Sequence, residues 1–289
     1  MPTIFVTGAT GNQGGAAAEH LLKNGFHVKG LTRNPDSPKA QKLKSLNAEV
    51  IKGDLEHPDT FRHHLENVDG VFNVQTFEIT VDWEIKQGML MASLAKQYNV
   101  PHYVYSSVAG ADLKTGIPHF ESKLKIEDHI KQLNLPFTII RPASLLENHL
   151  LKEVRSRIVK GKLVSPVNKN VMQQFVAAYD IGKLAAAVFA NKEKYLGKTI
   201  TVAAEQYDQQ QMAAIFSEAM GRNIKYQKLP MFITRLVMGK DLYKMFSWIN
   251  ANSGRFIKDL PAFRKDYPDM MSVKEWVSRY FKDPHHISK

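Results

Sequence analysis

The sequence contains no cysteine. That excludes disulfide staples, thiolate nucleophiles and thiolate zinc sites, and it suits a reducing compartment. Long apolar runs are missing as well, none approaching the ~18 residues of a membrane span. The opening Met1-Pro2-Thr3-Ile4-Phe5-Val6 lacks the basic and then apolar pattern of a signal peptide. A cytoplasmic location and no membrane partner are therefore expected. Linkers rich in glycine, proline or serine, internal repeats and low-complexity tracts are also absent, so the 289 residues read as one body with a smaller C-terminal lobe. Acidic residues are in deficit, 28 against 39 basic, for a net charge of +11. Such an excess favours a polyphosphate ligand. The lysines are scattered rather than blocked, which argues against specific nucleic-acid binding.

What is present first is an alternation. Short apolar runs at Thr3–Thr7, His27–Thr32, Glu49–Lys52, Gly70–Val74, Pro101–Ser106 and Phe137–Arg141 read as strands. Between them, Gly14–Asn24, Pro38–Asn47, Pro58–Glu66, Thr80–Tyr98 and Phe120–Leu133 read as helices, with Ser37-Pro38 as an N-cap and first-turn proline and Gly25 as a C-cap. Six strands with five crossovers make an α/β fold of the Rossmann type, a doubly wound parallel sheet with helices on both faces. The expected division is a nucleotide-binding core over 1–147. Residues 148–289 supply the remainder of the core and a smaller mixed lobe for substrate or partner. In that second part, helices are expected near His149–Lys160, Ile181–Asn191 and Asp208–Met220, and a strand at Thr199–Ala203. The Met- and Phe-rich span Pro230–Trp248 reads either as a helical lid or as packed core.

Glycine is concentrated in one place, "TGATGNQGGAAAEHLLKNG", Thr7 to Gly25. Gly8, Gly11 and Gly14 stand as GxxGxxG directly after a strand and at the start of a helix. In that setting the first glycine permits a tight turn, the second lets a diphosphate approach the backbone, and the third lets helix pack on strand. The amides of the helix N-terminus, with the helix dipole behind them, complete an anion site.

Another absence sets the cofactor. Dinucleotide folds that take NAD place a carboxylate at the end of the second strand, where this chain reads Leu31-Thr32-Arg33-Asn34. The planar fork of Arg33 suits a 2′-phosphate, so NADP(H) is preferred over NAD(H); the alternative is a solvated surface charge. Lys52, Lys39 and Lys42 are weaker candidates for the same phosphate. Asp54, after the third strand, is placed either to accept from an adenine amino group or to cap a helix.

Ligands in such sheets lie beyond the carboxyl ends of the strands, which selects Asn73–Phe77, Ser106–Ala109 and Pro142–Ser144. In "GIPHFESKLKIEDHIKQL", His119 and Lys123 are four residues apart and share a helical face. That pair is the candidate for acid–base work, with Lys123 also offering charge to ribose hydroxyls or a developing alkoxide. Phe77, Phe120, Met231, Phe232 and Met238 are candidates for an apolar lining or plain core. Metal chemistry is not expected, because His63-His64 and His285-His286 are adjacent pairs that point apart.

Taken together, "VTGATGNQGG", "LTRNP", "GDL", "YSSVAG", "PHFESK" and "TIIRPA" resemble the NmrA-like family of atypical short-chain dehydrogenases over roughly residues 3–205. The resemblance implies a Rossmann domain with a smaller C-terminal domain and a preference for NADP(H). It also implies that Gly8, Thr10, Gly11, Asn12, Gln13 and Gly14 line the diphosphate, Arg33 the 2′-phosphate, Asp54 and Leu55 the adenine, and Lys123 the nicotinamide ribose. One departure stands out. Ordinary short-chain dehydrogenases carry tyrosine four residues before the lysine, and here that slot holds His119. The family divides into reductases of quinones and other electrophiles and NADP(H) sensors that regulate protein partners, and "PHFESK" is closer to the sensors. Two functions follow: an NAD(P)H-dependent oxidoreductase acting on a small apolar electrophile such as a quinone or enone, or a redox sensor acting on a regulatory protein partner. The sequence leaves an oligomer open.

Overall fold

A computed structural model describes residues 1–75 and 80–282. In chain order the regular elements are β1 (Thr3–Val6), α1 (Asn12–Lys23), β2 (His27–Thr32), α2 (Pro38–Ser45), β3 (Glu49–Lys52), β4 (Gly70–Asn73), α3 (Val81–Gln97), β5 (Tyr103–Ser106), α4 (Pro118–Gln132) and β6 (Phe137–Pro142). They continue with β7 (Ser144–Leu145), α5 (Lys152–Val159), β8 (Lys162–Ser165), β9 (Gln173–Val176), α6 (Ala178–Ala190), α7 (Lys192–Tyr195), β10 (Thr199–Val202), β11 (Glu205–Tyr207), α8 (Gln209–Met220), β12 (Lys225–Lys228), α9 (Met231–Asn252), α10 (Leu260–Asp266) and α11 (Val273–Val277). The chain forms two compact units, one of Met1–Lys114, Pro118–Arg141 and Ala178–Thr201, the other of Thr115–Ile117, Pro142–Ala177 and Val202–Lys289.

The first unit is built on a seven-stranded sheet in the order β10-β6-β5-β4-β1-β2-β3. The pairings from β6 through to β3 are parallel. The order in which successive strands are added reverses between β1 and β4, so the connections after those two parallel strands lead to opposite sides and open a crevice at their carboxyl ends, as a doubly wound α/β fold requires. Strands buried on both faces explain the near-continuous apolar runs in the sequence. Phe5, Val71, Tyr103, Tyr105 and Ile139 fill one side with Met91, Ala95, Ile126 and Ile130 from the covering helices α3 and α4. On the other side α1 lies against α6, and a Cβ on Gly182 would come within 2.4 Å of the Ala16 backbone. Only glycine permits that crossing.

Local signals explain most boundaries. The Ser37 hydroxyl accepts from the Ala40 amide at 3.3 Å with Pro38 in the first turn. Gly25 follows α1 at φ 79°. The helix expected over Pro58–Glu66 is instead two 3-10 turns, Pro58–Thr60 and Arg62–Leu65. Between them Phe61 leaves helical geometry (φ −142°) and is fully buried, with its ring 6.0 Å from that of Phe5. Core packing of one aromatic overrides the local propensity there.

The second unit holds a three-stranded sheet in the order β11-β9-β7 and a parallel pair β12-β8. Its core gathers Trp276, Phe216 and Phe281 around His149, whose ring lies 5.4 Å from that of Phe216. The helix expected over His149–Lys160 begins only at Lys152, because Leu151 is extended (ψ 133°) between a 3-10 turn and α5. The Met- and Phe-rich span is helical, and Gly239 breaks it at φ 80°, ψ 177°.

Candidate functional site

The glycine loop has the geometry that its spacing predicts. Gly8 follows β1 at φ 58°, in the left-handed region that glycine occupies without strain. The Gly11 amide returns to the Gly8 carbonyl at 2.8 Å and closes the turn. Gly14 lies so close to the strand end that a Cβ there would sit 2.3 Å from the Gly8 carbonyl oxygen and 2.5 Å from that of Thr7. The N-cap of α1 is Gly11, no side chain caps the helix, and its first turn carries no acid. The first-turn amides around Asn12 and Gln13 thus end a helix whose dipole no local carboxylate offsets.

Side chains hold this loop to its neighbours. The Ser106 hydroxyl, at the end of β5, donates to Gln13 Oε1 at 2.6 Å. Thr10 and Thr32 hydroxyls meet at 3.3 Å, and Thr32 Oγ1 accepts from the Asn34 amide at 3.2 Å. The backbone on either side of Arg33 is therefore pinned while its side chain stands exposed, with no carboxylate partner among the described residues. Lys42 is paired with Glu19, and Lys39 and Lys52 are exposed. Asp54 Oδ1 accepts from the Glu56 amide at 3.0 Å, which makes it a turn former, and Leu55 packs against the core. Glu56 in turn accepts from the Trp83 indole at 2.6 Å.

His119 and Lys123 both lie on α4, and both are buried. The His119 ring meets Phe120 edge-on at 5.0 Å. Lys123 Nζ lies 2.9 Å from Glu84 Oε1, an ion pair whose alignment falls outside hydrogen-bond geometry. The same ammonium donates to the Gln75 carbonyl at 3.2 Å and sits 5.4 Å from the Tyr105 ring centroid. Glu84 is fully buried in α3, and its other oxygen accepts from the Ser122 hydroxyl. Burial, with the Glu84 charge adding to it, pushes the Tyr105 phenol well above its ordinary value, and the hydroxyl has no hydrogen-bond partner among the described residues. Tyr105 is therefore a neutral wall beneath the lysine rather than a proton donor to it.

A continuous polar chain joins the glycine loop to this lysine. Thr7 Oγ1 donates to Asn73 Oδ1 at 2.9 Å, the Asn73 amide group donates to Gln75 Oε1 at 3.4 Å and to Tyr103 at 2.6 Å, and Gln75 leads to Lys123 through its carbonyl. A second buried cluster stabilises the β5 and β6 ends: Glu127 accepts from Ser107 at 2.6 Å and from Arg141 at 2.9 and 2.6 Å, and Arg141 also meets Asp112 at 2.6 Å. Burial opposes the Arg141 charge, but the bonds to Glu127 and Asp112 outweigh it and hold the guanidinium above its ordinary pKa.

The sequence candidates thus fall into three groups. Gly8, Thr10, Gly11, Asn12, Gln13 and Gly14 come together at the head of α1, Arg33, Asp54 and Leu55 follow the next two strands, and His119 and Lys123 share the buried face of α4. Among the lining candidates Phe120 is buried, Met231 and Met238 are half-buried and Phe232 is exposed. Phe77 and the His285-His286 pair lie outside the described residues. Sequence reasoning missed Glu84 and Ser122, and it selected the loop Asn73–Phe77 without assigning roles to Asn73 and Gln75. Glu84 reads locally as an ordinary acid in the first turn of a helix, and only the tertiary approach of α4 makes it a counter-ion.

Comparison with known proteins places this geometry. The model of the NmrA-like family matches residues 1–276. An NmrA-like family domain-containing protein of Dictyostelium discoideum is 29% identical over 270 residues, covering 87% of this chain and 88% of its own. The NADP(H) complex of triphenylmethane reductase from a Citrobacter species superposes with a TM-score of 0.80 at 20% identity, over 96% of this chain and 99% of that one. NmrA, a negative transcriptional regulator solved with NADP, superposes at 0.77 with 20% identity, over 97% and 95%. These likenesses in structure establish a shared fold, and the match along nearly the whole sequence establishes descent: the chain belongs to the NmrA-like family.

Proposed function

We propose that this protein binds NADP(H) and is an NAD(P)H-dependent oxidoreductase that reduces a small apolar electrophile such as a quinone or enone, in a cytoplasmic setting. The observation that carries the reading is the approach at Gly14, where a Cβ would overlap two backbone carbonyls. A helix brought that close to a strand end, uncapped by any side chain and without acid in its first turn, presents amides that fit a diphosphate. In this reading the amides of Gly11, Asn12 and Gln13 hold the diphosphate, with Gly8, Thr10 and Gly14 shaping the cradle. Arg33, exposed and unpaired with any carboxylate among the described residues, takes the 2′-phosphate. Asp54 and Leu55 border the adenine. Lys123, fixed by Glu84 and the Gln75 carbonyl, faces the ribose of the nicotinamide.

When bound, a reduced nicotinamide supplies a hydride to an electrophilic carbon of the substrate. The chain's own part is to hold and screen. Lys123 offers positive potential to the oxygen that gains charge, and His119, one helical turn away, donates a hydrogen bond or proton to it. Substrate or partner recognition is assigned to the second unit. A reductase among the structural relatives supports this reading.

A second reading, a redox sensor that regulates a protein partner, is favoured by one specific observation. The Lys123 ammonium is already neutralised by Glu84 at 2.9 Å, and histidine stands in the tyrosine slot, an arrangement that suits recognition of a cofactor better than proton delivery. A regulator among the structural relatives supports it as well. Incubation of the purified chain with NADPH and a panel of small quinones, followed at the nicotinamide absorbance, separates the two. Turnover well above buffer is the expected result, and tight binding without oxidation would transfer the assignment to the sensor.

A further inference from the structure

The helix Met231–Met238, which precedes the break at Gly239, is inside out. It carries six apolar residues in eight, "MFITRLVM", yet the side chain it buries completely is that of Thr234. Phe232, Leu236 and Val237 stand 68%, 80% and 68% exposed. At about 100° per residue, positions 232, 236 and 237 fall with the half-buried Ile233 between them within an arc of about 140° around the helix, so these side chains form one broad apolar stripe rather than scattered exceptions. Beside the same helix, Ile233 helps line a groove of about 450 Å³ together with the apolar Val164, Leu229 and Pro230 and the cations Arg157, Lys160, Lys162 and Lys228. Among the described residues no carboxylate lines it. Lys228 donates to Asn168 at 2.6 Å, whereas Arg157, Lys160 and Lys162 are exposed and pair with no carboxylate among the described residues. Cations and protruding apolar side chains therefore lie side by side in the second unit.

We propose that this face docks on an anionic lipid surface, with Phe232, Leu236 and Val237 entering the acyl boundary and Arg157, Lys160 and Lys162 meeting the headgroups. The observations discriminate among occupants. A second copy of the chain meeting itself through a two-fold axis would bring two sets of like charge together, which opposes that contact. A protein partner needs pockets shaped for side chains that project outward, whereas a fluid acyl layer accepts protruding aromatic and aliphatic groups of any shape. Each cation near an anionic leaflet adds to the attraction, so apolar insertion and charge act together. The proposal revises the expectation of no membrane partner. That expectation rested on the lack of a spanning run, and a helix lying in the interface needs none. The inference does not depend on nucleotide binding.

Flotation of the full chain with vesicles tests it. Wild type is expected to rise with vesicles of phosphatidylcholine mixed with phosphatidylglycerol and to stay behind with phosphatidylcholine alone. Phe232→Ser with Leu236→Ser leaves the net charge unchanged and should reduce partition at least about tenfold, and Lys160→Glu with Lys162→Glu should do the same. Both pairs are exposed, and circular dichroism confirms folding. Equal flotation of the serine variant would show attraction by net charge alone and overturn the proposal, as would no flotation of wild type. A concentration-dependent dimer in light scattering that the serine variant abolishes, without flotation, would assign the patch to a second copy and also overturn it.

Discussion

Replacing Gly14 with alanine is the sharpest perturbation of the cradle. The new methyl carbon would begin 2.3 Å from the Gly8 carbonyl oxygen, 2.5 Å from that of Thr7 and 2.6 Å from the Gly8 carbonyl carbon. All three are backbone atoms, so no rotamer change relieves the overlap and α1 itself must withdraw by about an ångström to reach ordinary contact. Overpacking of this kind costs about 1–3 kcal/mol, of which alanine's better helix propensity returns at most about 1. A net loss near 1–2 kcal/mol lowers Tm by roughly 2–8 °C in a chain of this size. Affinity should suffer more than stability. The amides that hold the diphosphate move with the helix, and hydrogen bonds to a charged group lengthened by that much forfeit about tenfold or more in Kd. Gly25→Ala is the control, because its φ of 79° strains any side chain while nothing lies within 4 Å of its added Cβ. It should lose about 1 kcal/mol of stability and leave nucleotide affinity unchanged. Thermal unfolding paired with NADPH titration reads both quantities. If Gly14→Ala binds NADPH like wild type, the close approach is mere packing and the reasoning fails.

Further outcomes are expected. Arg33→Ala should weaken NADPH by about ten- to a hundredfold, the worth of a charge-assisted bidentate contact, and NADH hardly at all; equal losses in the two titrations would remove the 2′-phosphate assignment. His102 makes stability pH-dependent. Burial pulls its pKa from 6.5 down to about 4, its ring bonded to Thr138 at 2.8 Å. The unfolded chain therefore takes up a proton that the folded one refuses, and this contribution, whole above the ordinary value, is lost as pH falls from there toward 4, by up to about 3 kcal/mol. Urea unfolding at about pH 7 and pH 5 should show that loss, and His102→Gln should flatten the part due to this residue. The buried His20 and the half-buried His149 are shifted the same way and leave a residual slope.

Much of the site was legible because its signals are local. A glycine triplet after an apolar strand encodes a turn, a close approach and an exposed helix end within seven residues, and each part is where the spacing puts it. Arg33 was singled out for the opposite reason, as a missing carboxylate at a position that strand order defines, and the structure leaves its side chain exposed there. What escaped depends on tertiary contact. Glu84 and Lys123 are 39 positions apart in sequence and adjacent only because α3 and α4 cover the same face of the sheet, so nothing near Glu84 announces its partner. The lost helix at Pro58–Glu66 has the same origin, since burial of Phe61 decided the backbone there. In the second unit the apolar content of Met231–Met238 was visible, but sequence alone pointed to core or lid. The inversion, threonine inward and phenylalanine and leucine outward, exists only in three dimensions.

Calorimetric titration of the intact chain with NADPH tests the central claim most directly. Saturable heat with one nucleotide per chain is expected, in a binding step that Gly14→Ala weakens and Gly25→Ala does not. Absence of heat with NADPH, NADP, NADH and NAD alike would contradict the diphosphate cradle, and the oxidoreductase and sensor readings would fall together.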